Sequence, residues 1–464
     1  MESSRPAGKQ DFGTTASDSG ESSLLEGFRS PPAEFGPLPF YWWSGDPLNR
    51  ERIAWQLDRL KEQGVRQVVI SYPHGPDGTT DRGTPPLFSL EWWELLRWFL
   101  SECRERDMTA GFQDYTLIGL VLLEIGNNTP GMRGGQMGCV SLIATGTAKV
   151  ALQAKSGTLP VGAWAYPLKG GIAHPNNSLD LTASIEKGVL DWNAPQGSWF
   201  VALVFVRPGP FDPMHPQSGR LAIDRLYAPF EHECPGEVGR TLKVFFQDEL
   251  DFGSRMPFWS EHLRGAFTSR QGYDLWPLLP ALWHNLGPTT VKVRLDYADV
   301  VVSEVERCYF QPVYQWHERH GTLFGHDNVG RGEIRRGREH YGDYFRTMRW
   351  YSAPGCDDPK IQGHRAFKGL KVNSSIAHLY RRPRVWVEAF HSSGWGTTPA
   401  EVVGALNEDF AYGATLVNLH GLYYTTSGGW WEWAPPDFHF RQPYWKHCRP
   451  FNNYFTRLSW LLSQ

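Results

Sequence analysis

Cysteine is scarce in this 464-residue chain: Cys103, Cys139, Cys234, Cys308, Cys356 and Cys448 lie far apart, with no CxxC pair. That pattern excludes a disulfide scaffold or a zinc ribbon and leaves six core thiols. Charge of one sign is also lacking. The net charge is −3, so no basic field is available for nucleic acid or an anionic membrane. No apolar run approaches the roughly 18 residues that a membrane-spanning helix needs. The start of the chain has no basic segment followed by an apolar one, so no signal peptide is visible. The expected localisation is cytoplasmic as the chain stands, and extracytoplasmic if the N-terminus is incomplete. HExxH, GxSxG, EF-hand and Walker sequences are missing, and no glycine-rich nucleotide loop follows any expected strand. Those absences leave no support for a zinc protease, a serine hydrolase with a nucleophile elbow or a Rossmann enzyme.

Aromatic residues are present in excess: 21 Trp, 18 Tyr and 26 Phe. With 41% hydrophobic and 20% charged residues, the chain otherwise has an ordinary globular balance. Trp55, Trp92 and Trp98 fall on expected helices and read as core filling. Trp42–Trp43 and the Gly/Pro-flanked Trp430–Trp431–Glu432–Trp433 do not fit helix interiors. Flat indole faces there suit the apolar faces of sugar rings, and their N–H groups suit hydroxyls.

Periodicity divides the chain. Residues 1–30 are polar, small and aperiodic and are expected to be disordered. Residues 31–115 read as strand–helix–strand–helix–strand: Pro39–Trp43, Asn49–Gln63, Val65–Tyr72, Ser89–Asp107 and Met108–Tyr115. Ser89 is placed to cap its helix, and Gly64 to close the one before it. Residues 116–209 change to glycine-rich turns and alternating Thr, Val, Ala and Leu, the pattern of an inserted antiparallel β-sandwich. Residues 210–464 return to the α/β rhythm. Helices are expected at 219–232, 259–271, 298–319, 399–411 and 450–462, with strands ending near Glu249, His326, Trp350, Glu388 and His420. The implied fold class is α/β, a (β/α)8 TIM-type barrel with a β-sandwich-like insertion after the third strand.

Two short runs carry the chemistry. Leu242–Phe246 and Val385–Val387 are apolar on both faces, as buried parallel strands are, and they lead into Glu249 and Glu388. The carboxyl ends of such strands are where barrel side chains collect. Two carboxyl groups, one protonated and one ionised, are the minimum for cleaving a glycosidic bond. An ionised Asp248 beside Glu249 would raise the latter's pKa, as an acid catalyst requires. An N-cap or a buried pair with arginine explains a single such glutamate equally well; two on separate strands favour catalysis. Asp248, His326, Asp327, Asn328, His391, Trp395, His420 and Trp42 fall at the same expected rim and are candidate substrate contacts. The partner expected is a carbohydrate, with no nucleic acid and no membrane.

Several segments strengthen this reading: Val244–Glu249, Gln271–Leu282, Asn373–Leu379, Arg382–Phe390 and Asn418–Gly421. In order and spacing the chain resembles glycoside hydrolase family 106, the α-L-rhamnosidases. The resemblance implies exo-acting removal of a terminal sugar, most typically L-rhamnose, with inversion at the anomeric carbon. It also implies two catalytic glutamates, Glu249 by position as the acid and Glu388 as the base, and a calcium ion that engages sugar hydroxyls. Two alternatives stay open: a glycosidase for another sugar, such as a galactoside or uronide, and a non-catalytic carbohydrate-binding barrel.

Overall fold

The computed structural model describes residues 18–74, 81–358, 366–427 and 435–464. Eight parallel strands organise it: β1 (Phe40–Trp42), β2 (Gln67–Ser71), β3 (Thr109–Gln113), β4 (Leu242–Asp248), β5 (Leu323–Asp327), β6 (Gly355–Asp358), β7 (Trp386–Ala389) and β8 (Leu416–Leu419). The ladders form two sheets. One runs β5-β4-β3-β2-β1, with the two-residue strand Leu422–Tyr423 on its outer edge; the other runs β6-β7-β8. The sheets meet at two seams. At one, Gly325 bridges Ala353 in parallel. At the other, Leu38 N–H donates to the Val417 carbonyl at 2.8 Å, and Phe40 N–H donates to Asn418 Oδ1 at 3.2 Å.

Helices cover the outer faces because their own apolar stripes need that surface. Asn49 caps Arg50–Glu62, and Ser89 caps Leu90–Glu105 by accepting from Trp92 N–H. The second helix buries Trp92, Leu96, Phe99, Leu100 and Cys103 completely. Each such side chain contributes about 1.5–3 kcal/mol by leaving water. Pro399–Tyr412 begins at a capping box in which Thr398 and Glu401 satisfy each other's backbone. All six cysteines are free thiols, and no helix among the described residues is long and apolar enough to cross a membrane.

Residues 135–208 hold two antiparallel sheets. Gly135–Thr145, Ser198–Pro208 and Leu159–Lys169 lie side by side, and Ala148–Gln153 pairs with Val189–Ala194. Val150, Leu152 and Leu190 from the smaller sheet pack with Val201, Leu203 and Ala163 from the larger. Phe258–Trp259, beyond β4 in sequence, joins the larger sheet beside Gly135–Gln136.

Four expectations meet a different structure. The sixth strand is Gly355–Asp358, whereas the strand expected over Arg346–Trp350 is in part the helix Tyr344–Met348, capped by Asp343. Gly-Cys-Asp-Asp has poor intrinsic strand propensity, and pairing with β7 overrides it. Ile118–Asn128 is a helix inside the stretch read as all-β; its Leu122 and Ile125 are buried, and Gly126 lies against the Pro210 carbonyl. Part of the N-terminal stretch expected to be disordered, Asp18–Arg29, is a helix. It packs where Gly27 leaves room for the Trp460 ring, 2.3 Å from where a Cβ would sit. The helix expected from about residue 298 begins at Thr290 and passes a π-turn at Glu306–Phe310 before ending at Arg319. The Trp430–Trp433 platform lies outside the described residues.

Candidate active site

Strand alternation builds the site. Phe40, Val69, Val244, Phe246, Trp386 and Leu416, from both parallel sheets, belong to one apolar cluster, with Phe246 and Trp386 ring centroids 4.1 Å apart. Side chains repeat their direction every second residue. The residues two positions further on therefore also face inward, now at the carboxyl-end rim: Trp42 after Phe40, Asp248 after Phe246, Glu388 after Trp386 and Asn418 after Leu416. Register extends the set. Asp248 is the β-partner of Asp327, Asp357 of Glu388, and Gln113 of the inward-facing Phe246. Above the apolar cluster lies a cavity of about 210 Å³ lined by Trp42, Gln113, Tyr115, Asp248, Glu249, Asp327, Arg331, Asp357, Glu388, His391 and His420.

Glu249 reaches this cavity by leaving the strand geometry. Alternation alone would send it to the face opposite Asp248, but its φ is +48°, in the left-handed region that few non-glycine residues adopt. Its backbone N–H donates to the Asp327 carbonyl at 2.9 Å, and its carboxylate meets Arg331 Nη2 at 2.7 Å. Arg331 also pairs with Asp327 and with Asp357, each at 3.2 Å. One guanidinium thus ties three carboxylates from three different segments.

The deeper acids are shielded from water. Gln113 Nε2 donates to Asp248 Oδ2 at 2.6 Å, and the Asp248 backbone N–H donates to Asp114 Oδ1 at 3.1 Å. Burial, then the charges of Asp327 and Glu249, push the Asp248 carboxyl well above its ordinary range. Burial, then Asp357 and Asp248, do the same to Glu388. Asp327 is raised to about 6 by burial, with Arg331 pulling the other way. His420 lies 3.9 Å from Glu388 and 4.9 Å, ring to ring, from His391. Burial drives both imidazoles toward the neutral form, His420 well below its ordinary value.

Five carboxyl groups face one arginine here, and low dielectric makes that excess costly unless protons or a cation offset it. One oxygen from each of Asp248, Asp327 and Glu388 lies within 4.8 Å of the others. Asp327 Oδ1, Glu388 Oε2 and Gln113 Oε1 are buried and accept no hydrogen bond among the described residues. Such an all-oxygen set fits a hard divalent cation of the calcium type.

No protein-family model matches the chain, and no curated protein matches it. Among solved structures, the rhamnosidase from Novosphingobium sp. PP1Y aligns with a TM-score of 0.68 at 13% identity, covering 95% of this chain and 60% of that one. The chain shares the fold of the part of that neighbour it aligns with. It spans three-fifths of that neighbour's length. An endo-β-1,4-mannanase from Thermotoga petrophila aligns more loosely, with a TM-score of 0.42 at 9% identity, covering 91% of this chain and 77% of that one.

The structure gathers most of the residues singled out from sequence and separates three. Glu249, Glu388, Asp248, Asp327, His391, His420 and Trp42 line the cavity. His326 does not: one residue before Asp327, it shares the outward parity of Gln247 and lies 4.3 Å from the Tyr351 ring. Asn328 turns into the same interior, donating to Tyr351 Oη at 2.9 Å. Trp395 is half-buried and not among the lining residues. Sequence reading passed over Gln113, Tyr115, Arg331 and Asp357. Gln113 and Tyr115 stood at a recognised strand end and could have been found by the same rule that found Glu388. Asp357 was hidden by the missed strand. Arg331 lies in a loop that no periodicity marks.

Proposed function

We propose that the chain is a glycoside hydrolase that removes a terminal sugar, α-L-rhamnose in the first instance, from a polysaccharide or glycoconjugate. One observation carries the reading: two glutamates, Glu249 just past β4 and Glu388 on β7, meet in a single cavity at the carboxyl-end rim, among acids and aromatic side chains. The rhamnosidase-like fold supports it. We infer that the two parallel sheets form one eight-stranded barrel closed at its seams, which accounts for the convergence of the rim residues.

Glu249 and Glu388 are the proposed catalytic pair, one the acid and the other the base. Burial, then the charges of Asp357 and Asp248, favour a proton on Glu388, while Arg331 holds the Glu249 carboxylate at the cavity. Trp42 and Tyr115 offer flat faces to a sugar ring, and His391 and His420, kept neutral, offer hydrogen bonds to its hydroxyls. Asp248 and Asp327, with Glu388, would hold a calcium ion, which supplies coordination to sugar hydroxyls when bound.

The test is aglycone release from an aryl α-L-rhamnoside, run beside other aryl glycosides and the variants Glu249→Gln and Glu388→Gln. Release from the rhamnoside, reduced about 10²–10⁴-fold in each folded variant, is expected. The variant that loses the alkaline limb of the pH–rate profile identifies the acid. Release from a different glycoside alone would discard rhamnose and keep the chemistry. Silence across the panel from folded protein would overturn the reading.

A further inference from the structure

A second cavity, of about 230 Å³, lies near the amino-terminal edge of the parallel strands and has a different character. Its lining includes Arg29, Lys61, Arg66, Arg449 and Arg457, and no acidic residue. Arg29 ends the helix Asp18–Arg29 and Lys61 lies in the last turn of Arg50–Glu62. Arg66 precedes β2, and Arg449 and Arg457 stand on the helix Arg449–Leu462. Elsewhere in the chain arginines are commonly matched with acids: Arg331 meets three, and Arg346 and Arg349 share Glu306. Here five basic residues line one open pocket, Lys61 and Arg66 partly buried and Arg29, Arg449 and Arg457 exposed, and no ion pair links any of them to a carboxylate among the described residues. In a chain of net charge −3 with 49 acidic residues, such a gathering is not a by-product of basic composition.

Like charges gathered around one pocket repel, and an anion held between them would turn that repulsion into attraction. Helix C-termini explain Arg29 and Lys61, but not Arg66, Arg449 or Arg457; Arg449 begins its helix, where a cation is disfavoured.

We propose that this cavity is a binding site for a small multiply charged oxyanion, the phosphate group of a free ion or of a phosphorylated metabolite. Guanidinium groups match such an anion through paired, charge-assisted hydrogen bonds. The site is independent of the sugar-cleaving chemistry.

Thermal unfolding and calorimetric titration of the full chain test it, with inorganic phosphate and separately glucose 6-phosphate, and ionic strength held constant with sodium chloride. The expected result is a saturable rise of the unfolding midpoint. The double variant Arg66→Gln/Arg457→Gln, shown to be folded by circular dichroism, should weaken binding at least about tenfold, the equivalent of one lost charge-assisted bond. Lys61→Gln serves as a milder second variant, with the same direction expected. Tighter binding of glucose 6-phosphate than of phosphate would assign the site to a phosphorylated metabolite; the reverse order would assign it to the free ion. A midpoint that follows ionic strength alone, or a dissociation constant unchanged in both variants, would overturn the proposal.

Discussion

Gly355 begins the strand that brings Asp357 beside Glu388, and its lack of a side chain is what lets that strand pair so closely. A Cβ at this position would lie 2.4 Å from the Cβ of Trp386, 2.5 Å from its carbonyl oxygen and 2.9 Å from its carbonyl carbon. The obstructing atoms are backbone and Cβ, so no rotamer change relieves the contact. Trp386 itself is fully buried against Phe246 and Phe40. Gly355→Ala must therefore push β6 away from β7, at the cost of overpacking a dense core, about 1–3 kcal/mol. At about 2–4 °C per kcal/mol for a large domain, the unfolding midpoint should fall by about 2–12 °C. Gly404→Ala is the control. Gly404 lies in the exposed interior of the helix Pro399–Tyr412, with nothing within 4 Å of an added Cβ. That substitution should stabilise by about 0.5–1 kcal/mol, because alanine favours helix more than glycine does. Both midpoints can be read by circular dichroism under one set of conditions. A Gly355→Ala protein that melts with the parent chain would refute the close β6–β7 pairing, and with it the placement of Asp357 beside Glu388.

Calcium should raise the unfolding midpoint saturably, by about 2.7 kcal/mol of stability at a hundredfold excess over its dissociation constant; a midpoint indifferent to both calcium and chelator would remove the cation from the site. Arg331→Met should depress turnover by freeing Glu249 from its 2.7 Å contact, and activity equal to the parent's would show that this contact orients nothing. Burial pushes the Asp212 carboxyl up to about 6, although Ser260 and the Met214 N–H bond to it. Since its unfolded value is about 3.9, the stability it confers is full below that value and lost as pH rises through 6, about 3 kcal/mol in all. Asp212→Asn should remove that loss. Urea unfolding of both proteins at pH 4 and pH 7 measures it, and parallel pH dependence in the two would refute the assignment.

What the sequence by itself determined is local and periodic. Apolar runs on both faces marked β4 and β7, Ser89 and Gly64 marked a helix start and a helix end, and the acids Glu249 and Glu388 at the ends of those runs marked a rim. These features are legible because burial and capping act within a few neighbouring residues. The strand at Gly355–Asp358 was not legible: its residues gain strand geometry only from lying against Trp386. Nor was the helix at Ile118–Asn128, whose small and branched residues read as strand until packing decided otherwise. Parity separated Asp327 from His326, one facing the cavity and the other Tyr351, and only the register with β4 says which is which. Arg331 joined the site through distance alone, drawing together acids that are 82, 4 and 26 positions away in the chain. Chemistry of this kind depends on several strands ending at one level, and that alignment is a property of their pairing rather than of any one segment.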